Sequence, residues 1–466
     1  MTEQAINFAV FVVLARILGA EAFGLAMMAI VFIIFAEHLV MQTVSESLIQ
    51  LRELEDGHLD TAFWTLLALA FFLMACIAIF ARLIASFYSQ PEVANLLYGA
   101  SPMIFLVAIS VVPVTLLRRN LQFKALAVRA VVGVIGGGII GIALALSDFG
   151  VWSIIAQRLA QLLITAVLAW LAHPWLPGFR ATRNQFSQIV QFGVSMLGFR
   201  ISELLSVQTP TVVLGYFFGP SAVGYFTTAW RLVDIAVTMI VNTFCSVAQP
   251  IFARMKHNAP QASSFLREIL AASTLFTFPS FTGLALVAGP LIHFMLGDDW
   301  MPTVPIVQIL CFVGIFFSVE RVQQSFLLAM GNARTLFRLA FCEFLLGLGL
   351  ILVFGQASLI MVATMVVVRY YLVWPFRFAV VSATADIPNS WYVETLVPTV
   401  LACAVMAASV YSAQAAFPNL GSRANLAMSI VIGACTYSIT VILFMRTRIN
   451  SAARLMRSDL LDESPD

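Results

Sequence analysis

Charge is what this chain has least of. Only 10% of its 466 residues are Asp, Glu, Lys or Arg, against about 25% in a soluble domain, so a surface solvated by water on all sides is excluded. Lysine is almost missing: Lys124 and Lys256 are the two lysines among 25 basic residues. The six cysteines, Cys76, Cys245, Cys311, Cys342, Cys403 and Cys435, lie in apolar runs with no CxxC and no loop pair. They read as small core residues, not as a disulfide framework or metal ligands. No nucleophile–base arrangement and no metal-ligand spacing occurs. The external connections are too short to gather the histidines and carboxylates that hydrolysis or glycosyl transfer requires. No enzyme activity, cofactor, metal or nucleic-acid partner is expected.

What the chain has is apolar length. Hydrophobic residues make up 61% and the mean hydropathy is +0.96, which marks a polytopic membrane protein. At roughly 20 apolar residues per crossing, fourteen segments are expected. They fall at 5–19, 23–45, 62–86, 97–117, 125–147, 150–173, 187–216, 221–250, 268–296, 303–329, 335–354, 357–382, 393–416 and 425–445. Short turns separate them, among them Ser147-Asp148-Phe149-Gly150, Gly219-Pro220, Gly297-Asp298-Asp299, Gly331-Asn332 and Pro418-Asn419-Leu420-Gly421. The first run, followed by Ala20-Glu21-Ala22, mimics a signal peptide. Glu3 has the wrong sign, no basic residue precedes the run, and Arg16 sits inside it, so it is read as part of the fold.

One stretch is written twice. LARILGAEAFG at 14–24 returns as LGYFFGPSAVG at 214–224, with Leu14, Gly19 and Gly24 falling on Leu214, Gly219 and Gly224. Each copy closes one apolar segment, turns, and opens another, the pattern of a duplicated membrane fold. Basic residues give the orientation. Sixteen, namely Arg52, Arg118, Arg119, Lys124, Arg180, Arg183, Arg254, Lys256, Arg267, Arg334, Arg338, Arg377, Arg446, Arg448, Arg454 and Arg457, fall at or near every second connection. Only Arg82 and Arg423 oppose them, so both termini are expected in the cytoplasm.

Seven arginines remain at membrane depth: Arg16, Arg129, Arg158, Arg200, Arg231, Arg321 and Arg369. Each costs roughly 2.5–3.5 kcal/mol there unless it faces a carboxylate, a wet cavity or the interface. Arg129 and Arg158 have the option of snorkelling. Arg200 with Glu203, and Arg231 with Asp234, are spaced i to i+3 on one helix face. They either neutralise one another or line a polar cavity between two bundles, where a guanidinium grips phosphate in a bidentate way. Glu37, Glu320 and Glu343 are buried carboxylates of the kind that carries a coupling proton or sodium, Glu37 being the candidate in the first half. Glu320 and Arg321 do not share a helix face. His293 reads as an interfacial residue, Asp298-Asp299-Trp300 as a cap with an aromatic anchor, and Gly136-Gly137-Gly138 as a close helix contact. Pro210, Pro279 and Pro290 are expected to bend their helices.

The blocks LARILGAEAFGLAMMAI, LLRRNLQFKALAV (116–128), FGVWSIIAQRL (149–159) and the stretch 294–339 resemble, in order, the polysaccharide transporters of the multidrug/oligosaccharidyl-lipid/polysaccharide (MOP) exporter superfamily, which include Wzx-type flippases. The chain departs from them at its start, where relatives carry a further amphipathic stretch and a fuller first helix. The resemblance implies an all-α MOP fold of about fourteen transmembrane helices. These would divide into a six-helix bundle at 1–173, a cytoplasmic linker at 174–186, a second bundle at 187–382, two added helices at 383–446 and a tail at 447–466. It also implies that a lipid-linked oligosaccharide, carried on a polyprenyl pyrophosphate, crosses the bacterial inner membrane by alternating access through a cationic cavity. Arg16 lies within the shared motif. With Arg200, Glu203, Arg231, Asp234 and Arg321 it completes the substrate-binding candidates, while Glu37 is the ion-coupling candidate. Membrane lipids, a polysaccharide polymerase and export machinery are the expected partners. The rival readings are a cation-coupled multidrug exporter of the same fold, a membrane polymerase or ligase, which would need a large external loop, and a non-transporting assembly scaffold.

Overall fold

In lipid every backbone N–H and C=O must be satisfied within its own segment, and long apolar runs without polar interruptions therefore fold as helices. The computed structural model describes residues 2–50, 55–180, 182–255, 258–388, 390–417 and 421–445. Arg52, Lys256, Arg446, Arg448, Arg454 and Arg457, the tail at 447–466 and most of the expected turn at 418–421 lie outside the described residues.

Fourteen α-helices follow in order: α1 (Thr2–Gln50), α2 (Asp56–Phe87), α3 (Glu92–Ala100), α4 (Pro102–Arg119), α5 (Phe123–Leu146), α6 (Trp152–Ala172), α7 (Arg183–Ala236), α8 (Asn242–Arg254), α9 (Ala259–Met295), α10 (Thr303–Ala329), α11 (Ala333–Phe354), α12 (Leu359–Ala385), α13 (Ser390–Ala416) and α14 (Ser422–Phe444). No strand occurs among the described residues. Asn258 and Ser358 cap α9 and α12 by accepting the backbone N–H of Gln261 at 3.3 Å and of Met361 at 3.1 Å. Pro210 lies inside α7, and Pro279 and Pro290 inside α9.

Twelve spans among the described residues are long and apolar enough to cross a membrane, against fourteen expected segments. The difference lies at the repeated corners. The spans Thr2–Met41 and Arg200–Arg254 are 40 and 55 residues long, each enough for two crossings. Each contains one non-helical residue, Gly19 (φ 75°, ψ 173°) or Gly219 (φ 77°, ψ −169°). That backbone region belongs to glycine, so at each duplicated glycine one helix ends and the next begins across a kink.

By its contacts the chain forms two compact units, Met1–Thr227 and Thr228–Asp466. In the first, the two copies of the corner meet. A methyl group added at Gly24 would overlap the Pro220 carbonyl, and one added at Gly224 would overlap the Ala20 carbonyl. The contact is reciprocal, as two-fold related elements require. The shared register extends to packing: Leu14 and Leu214 are both buried, as are Phe23 and Val223. Gly133, Gly137 and Gly141 of α5 lie against Thr165, Gln161 and Gln157 of α6, with Gly138 against Val10, the close approach expected for the glycine run.

The outward surface is apolar. Phe72, Ile79, Leu83, Ile139 and Phe444 all point away from the protein, as a lipid-facing surface requires. The same inversion corrects the reading of the cysteines: Cys311 and Cys403 are buried, whereas Cys342 and Cys435 are exposed and Cys76 and Cys245 half-buried. Trp300, expected as an interfacial anchor, is 1% exposed. It closes a 3₁₀ turn, Asp298–Trp300, whose Asp298 Oδ1 lies 2.7 Å from His293 Nδ1.

Candidate functional site

The second unit gathers the intramembrane charges. Arg231 and Asp234 sit one helical turn apart near the end of α7, half-buried and exposed respectively. A π-helical segment, Val237–Val241, follows directly, and π-segments in α-helices frequently mark functional sites. Asp234 interacts electrostatically with Arg321 of α10 and with Arg231. Three of the sequence candidates therefore lie within electrostatic range of one another, the third supplied by a helix more than eighty residues away in the chain.

Behind Arg321 the charges continue inward. Its side chain is 29% exposed, its guanidinium lies 5.1 Å from the centre of the Phe317 ring, and its Nε is 3.8 Å from Glu320 Oε2. That separation exceeds a hydrogen bond, as the different faces of adjacent helical residues predict. Glu320 instead accepts from Arg377 Nη1 at 2.8 Å, and the Nη2 of the same guanidinium donates to Glu343 at 2.6 Å. The three side chains are only 3%, 10% and 9% exposed for Arg377, Glu320 and Glu343. One arginine of α12 thus pins α10 and α11. Removing one partner of such a buried pair costs about 3–5 kcal/mol.

Arg377, read from the sequence as a basic residue at or near a connection, is thus tied into the protein interior. It lies inside α12, and its charge is compensated within the protein. Nearby on α12, Arg369 is fully buried, donates to Tyr370 Oη at 3.0 Å and stacks on that ring at 4.5 Å. Gly347 of α11 leaves the room, since a Cβ there would stand 2.5 Å from Arg369 Cδ.

The remaining candidates belong to the first unit. Arg200 donates to Glu203 at 3.3 Å, with side chains 40% and 28% exposed. Arg16 is exposed on α1, one turn before Gly19. Glu37 is buried and accepts from Arg158 Nη2 at 2.6 Å, while its other oxygen receives no hydrogen bond among the described residues. Arg158, free to snorkel on sequence grounds, is held by a carboxylate 121 positions away.

A second feature of the Thr228–Asp466 unit is apolar. A cavity of about 790 Å³ opens between α9, α13 and α14, walled by side chains such as Leu275, Phe276, Pro279, Met406, Ile430 and Val441. No charged residue lines it. Sequence reasoning did not find this groove, because its walls look like any other lipid-facing helix surface.

The chain is 27% identical over 307 residues to the succinoglycan biosynthesis transport protein ExoT of Rhizobium meliloti, covering 66% of this chain and 62% of ExoT, less than two thirds of that relative. It is 25% identical to the teichuronic acid biosynthesis protein TuaB of Bacillus subtilis over 92% of this chain and 89% of TuaB. With the lipopolysaccharide biosynthesis protein WzxC of Escherichia coli it shares 24% identity, over 74% of this chain and 71% of WzxC. Among solved structures, the lipid II flippase MurJ in an inward closed conformation superposes with a TM-score of 0.76 at 17% identity, over 96% of this chain and 99% of MurJ. An inward-facing MATE family multidrug transporter of the MOP superfamily gives 0.65 at 14%, over 82% and 96%. Both likenesses show the fold. The profile of the family described as polysaccharide biosynthesis protein matches residues 13–305, more than half of the chain, and the protein therefore belongs to that family.

Proposed function

We propose that the protein flips a lipid-linked oligosaccharide, on a polyprenyl pyrophosphate carrier, from the cytoplasmic to the outer leaflet of the bacterial inner membrane, with both termini cytoplasmic. In this reading it serves surface or exopolysaccharide biosynthesis, upstream of a polymerase and export machinery. The two repeat bundles, 1–173 and 187–382, alternate access to a cationic pathway, and the helices at 383–446 add to it. The observation that carries the reading is the uncharged groove of about 790 Å³ on α9, α13 and α14, in the same unit as the Arg231, Asp234 and Arg321 cluster. An amphiphile with a long apolar chain and an anionic head matches these two features. The volume falls within the roughly 300–1,000 Å³ of ligand sites. A compact cationic drug would match the groove but not the arginines, which disfavours the multidrug reading.

The groove is tested by photolabelling. A polyprenyl pyrophosphate with a diazirine in its chain is expected to label peptides of α9, α13 and α14, and Gly433→Trp, which fills the groove, is expected to abolish that labelling. Labelling spread evenly over all lipid-facing helices would refute the assignment.

We further propose Glu37 as the coupling carboxylate, supported by its burial and its second, unbonded oxygen. Glu37→Gln is expected to remove the dependence of transport on the ion gradient. Because the substitution also strips Arg158 of its partner, the control is the double variant Glu37→Gln with Arg158→Gln, expected to restore protein level but not coupling. Retained gradient dependence in the double variant would eliminate Glu37.

A further inference from the structure

We propose that Arg423 binds the pyrophosphate of the lipid carrier on the outer-leaflet side, at the mouth of the groove between α9, α13 and α14. This rests on the reading of that groove as the seat of the carrier's chain, and it gives the groove a direction, with the chain end inward and the headgroup outward.

The two ends of the groove differ. Its walls run from Leu275 to Val287 on α9 and from Ile442 back to Ser429 on α14, about 20 Å at 1.5 Å per residue. With both termini cytoplasmic, Leu275 and Ile442 mark the inner end. There all three helices contribute to one buried apolar cluster, Leu275, Ala402, Val441 and Met445, with Tyr437 packed against it. The Tyr437 hydroxyl donates to the Leu275 carbonyl at 2.7 Å. This end is floored by apolar side chains, as a hydrocarbon terminus requires.

At the outer end the same three walls turn polar. One turn beyond Val410 on α13 comes Gln414, which donates to Ser429 Oγ at 3.0 Å, and Ser429 donates in turn to Asn425 Oδ1 at 3.2 Å. Phe294 stands seven residues beyond Val287 on α9, and Arg423 seven before Ile430 on α14, a spacing of two turns that keeps each on its groove-lining face. The two meet: the Arg423 guanidinium lies 5.6 Å from the centre of the Phe294 ring, within the range of cation–π attraction. An exposed cation is thus held across the end of an apolar groove, and no carboxylate pairs with it among the described residues. Its planar fork suits a phosphate bidentately.

Topology does not ask for this cation, since Arg423 is one of the two basic residues that oppose the cytoplasmic excess. The plain alternative is an interfacial anchor for α14. An anchor acts alike on any lipid in the groove, whereas a headgroup site discriminates by phosphate.

The test is photolabelling of the purified full chain in phosphatidylcholine nanodiscs by geranylgeranyl pyrophosphate with a diazirine on its first or its last isoprene unit. The first-unit probe is expected to label the outer ends of α9 and α14, around Phe294 and Asn425, and the last-unit probe the inner end, around Leu275 and Val441. Arg423→Gln is expected to lower outer-end labelling about tenfold at sub-saturating probe, the scale of one charge-assisted hydrogen bond, and Arg423→Lys to lower it less. Labelling by the matching probe built on uncharged geranylgeraniol should respond to neither substitution. Insertion is not at risk, because losing an external cation strengthens the positive-inside bias. Unchanged outer-end labelling in Arg423→Gln, an equal loss with the uncharged probe, or a reversed order of the two probes would overturn the proposal. So would phosphatidylglycerol competing as well as unlabelled geranylgeranyl pyrophosphate, which would make Arg423 a contact for any anionic lipid. Wild-type labelling that misses the groove, or that survives Gly433→Trp, would bring down the groove reading itself, whereas groove labelling that ignores Arg423 would bring down only this inference.

Discussion

Gly24→Ala is expected to disable the protein through one methyl group. The added Cβ would overlap the Pro220 carbonyl, which is backbone and cannot swing aside as a side chain does. Overpacking of this kind costs about 1–3 kcal/mol even where side chains can yield. Gly224→Ala should behave the same way, because its Cβ meets the Ala20 carbonyl. Both variants are expected to lower the melting temperature of the purified protein and to reduce export sharply. The controls are Gly289→Ala on α9 and Gly349→Ala on α11, whose added Cβ atoms would have nothing within 4 Å, and which should leave stability and export unchanged. Wild-type melting and export in Gly24→Ala would show that the two corners do not make this contact in the working protein.

Charge removal at Arg321 or Arg231 is the second large effect. Arg321→Gln and Arg231→Gln are each expected to abolish export while the protein inserts and accumulates normally, since both side chains are only partly buried. Lysine at either position should rescue in part, because an ammonium keeps the charge but loses the planar fork that engages a phosphate bidentately. Arg200→Gln in the first unit carries the same expectation if its pair with Glu203 also meets substrate. Wild-type export by both Arg231→Gln and Arg321→Gln would remove the cluster from the transport path. In this respect Arg321 differs from Arg377, whose loss takes a hydrogen-bond donor from two buried carboxylates and puts stability at risk as well.

The sequence carries the local features of this fold plainly and the long-range ones hardly at all. Apolar length locates the helices, and the doubled glycine corner locates the repeat, because each is a property of neighbouring residues. The reciprocal approach of Gly24 and Gly224 is foreshadowed only by their shared spacing from Gly19 and Gly219. The Arg231 and Asp234 pair is visible as an i, i+3 spacing, yet nothing near it announces Arg321. Arg377 shows the failure most clearly. It lies eight residues from the end of α12 and reads as one of the basic residues at or near a connection, whereas its partners Glu320 and Glu343 sit on two other helices. Arg158 and Glu37 are separated by 121 positions for the same reason. Trp300 was misplaced because an aromatic beside two aspartates looks interfacial until the turn after Gly297 folds it inward. Hydropathy reports depth along the membrane normal; it does not report which face of a helix meets protein.

The measurement that tests the central claim most directly is to delete the gene in its host and locate the lipid-linked saccharide precursors. The account predicts loss of the external polysaccharide, with complete repeat units trapped on their carrier at the cytoplasmic face, reversed by the wild-type gene but not by Arg321→Gln. Normal polysaccharide, together with raised sensitivity to cationic drugs, would contradict it.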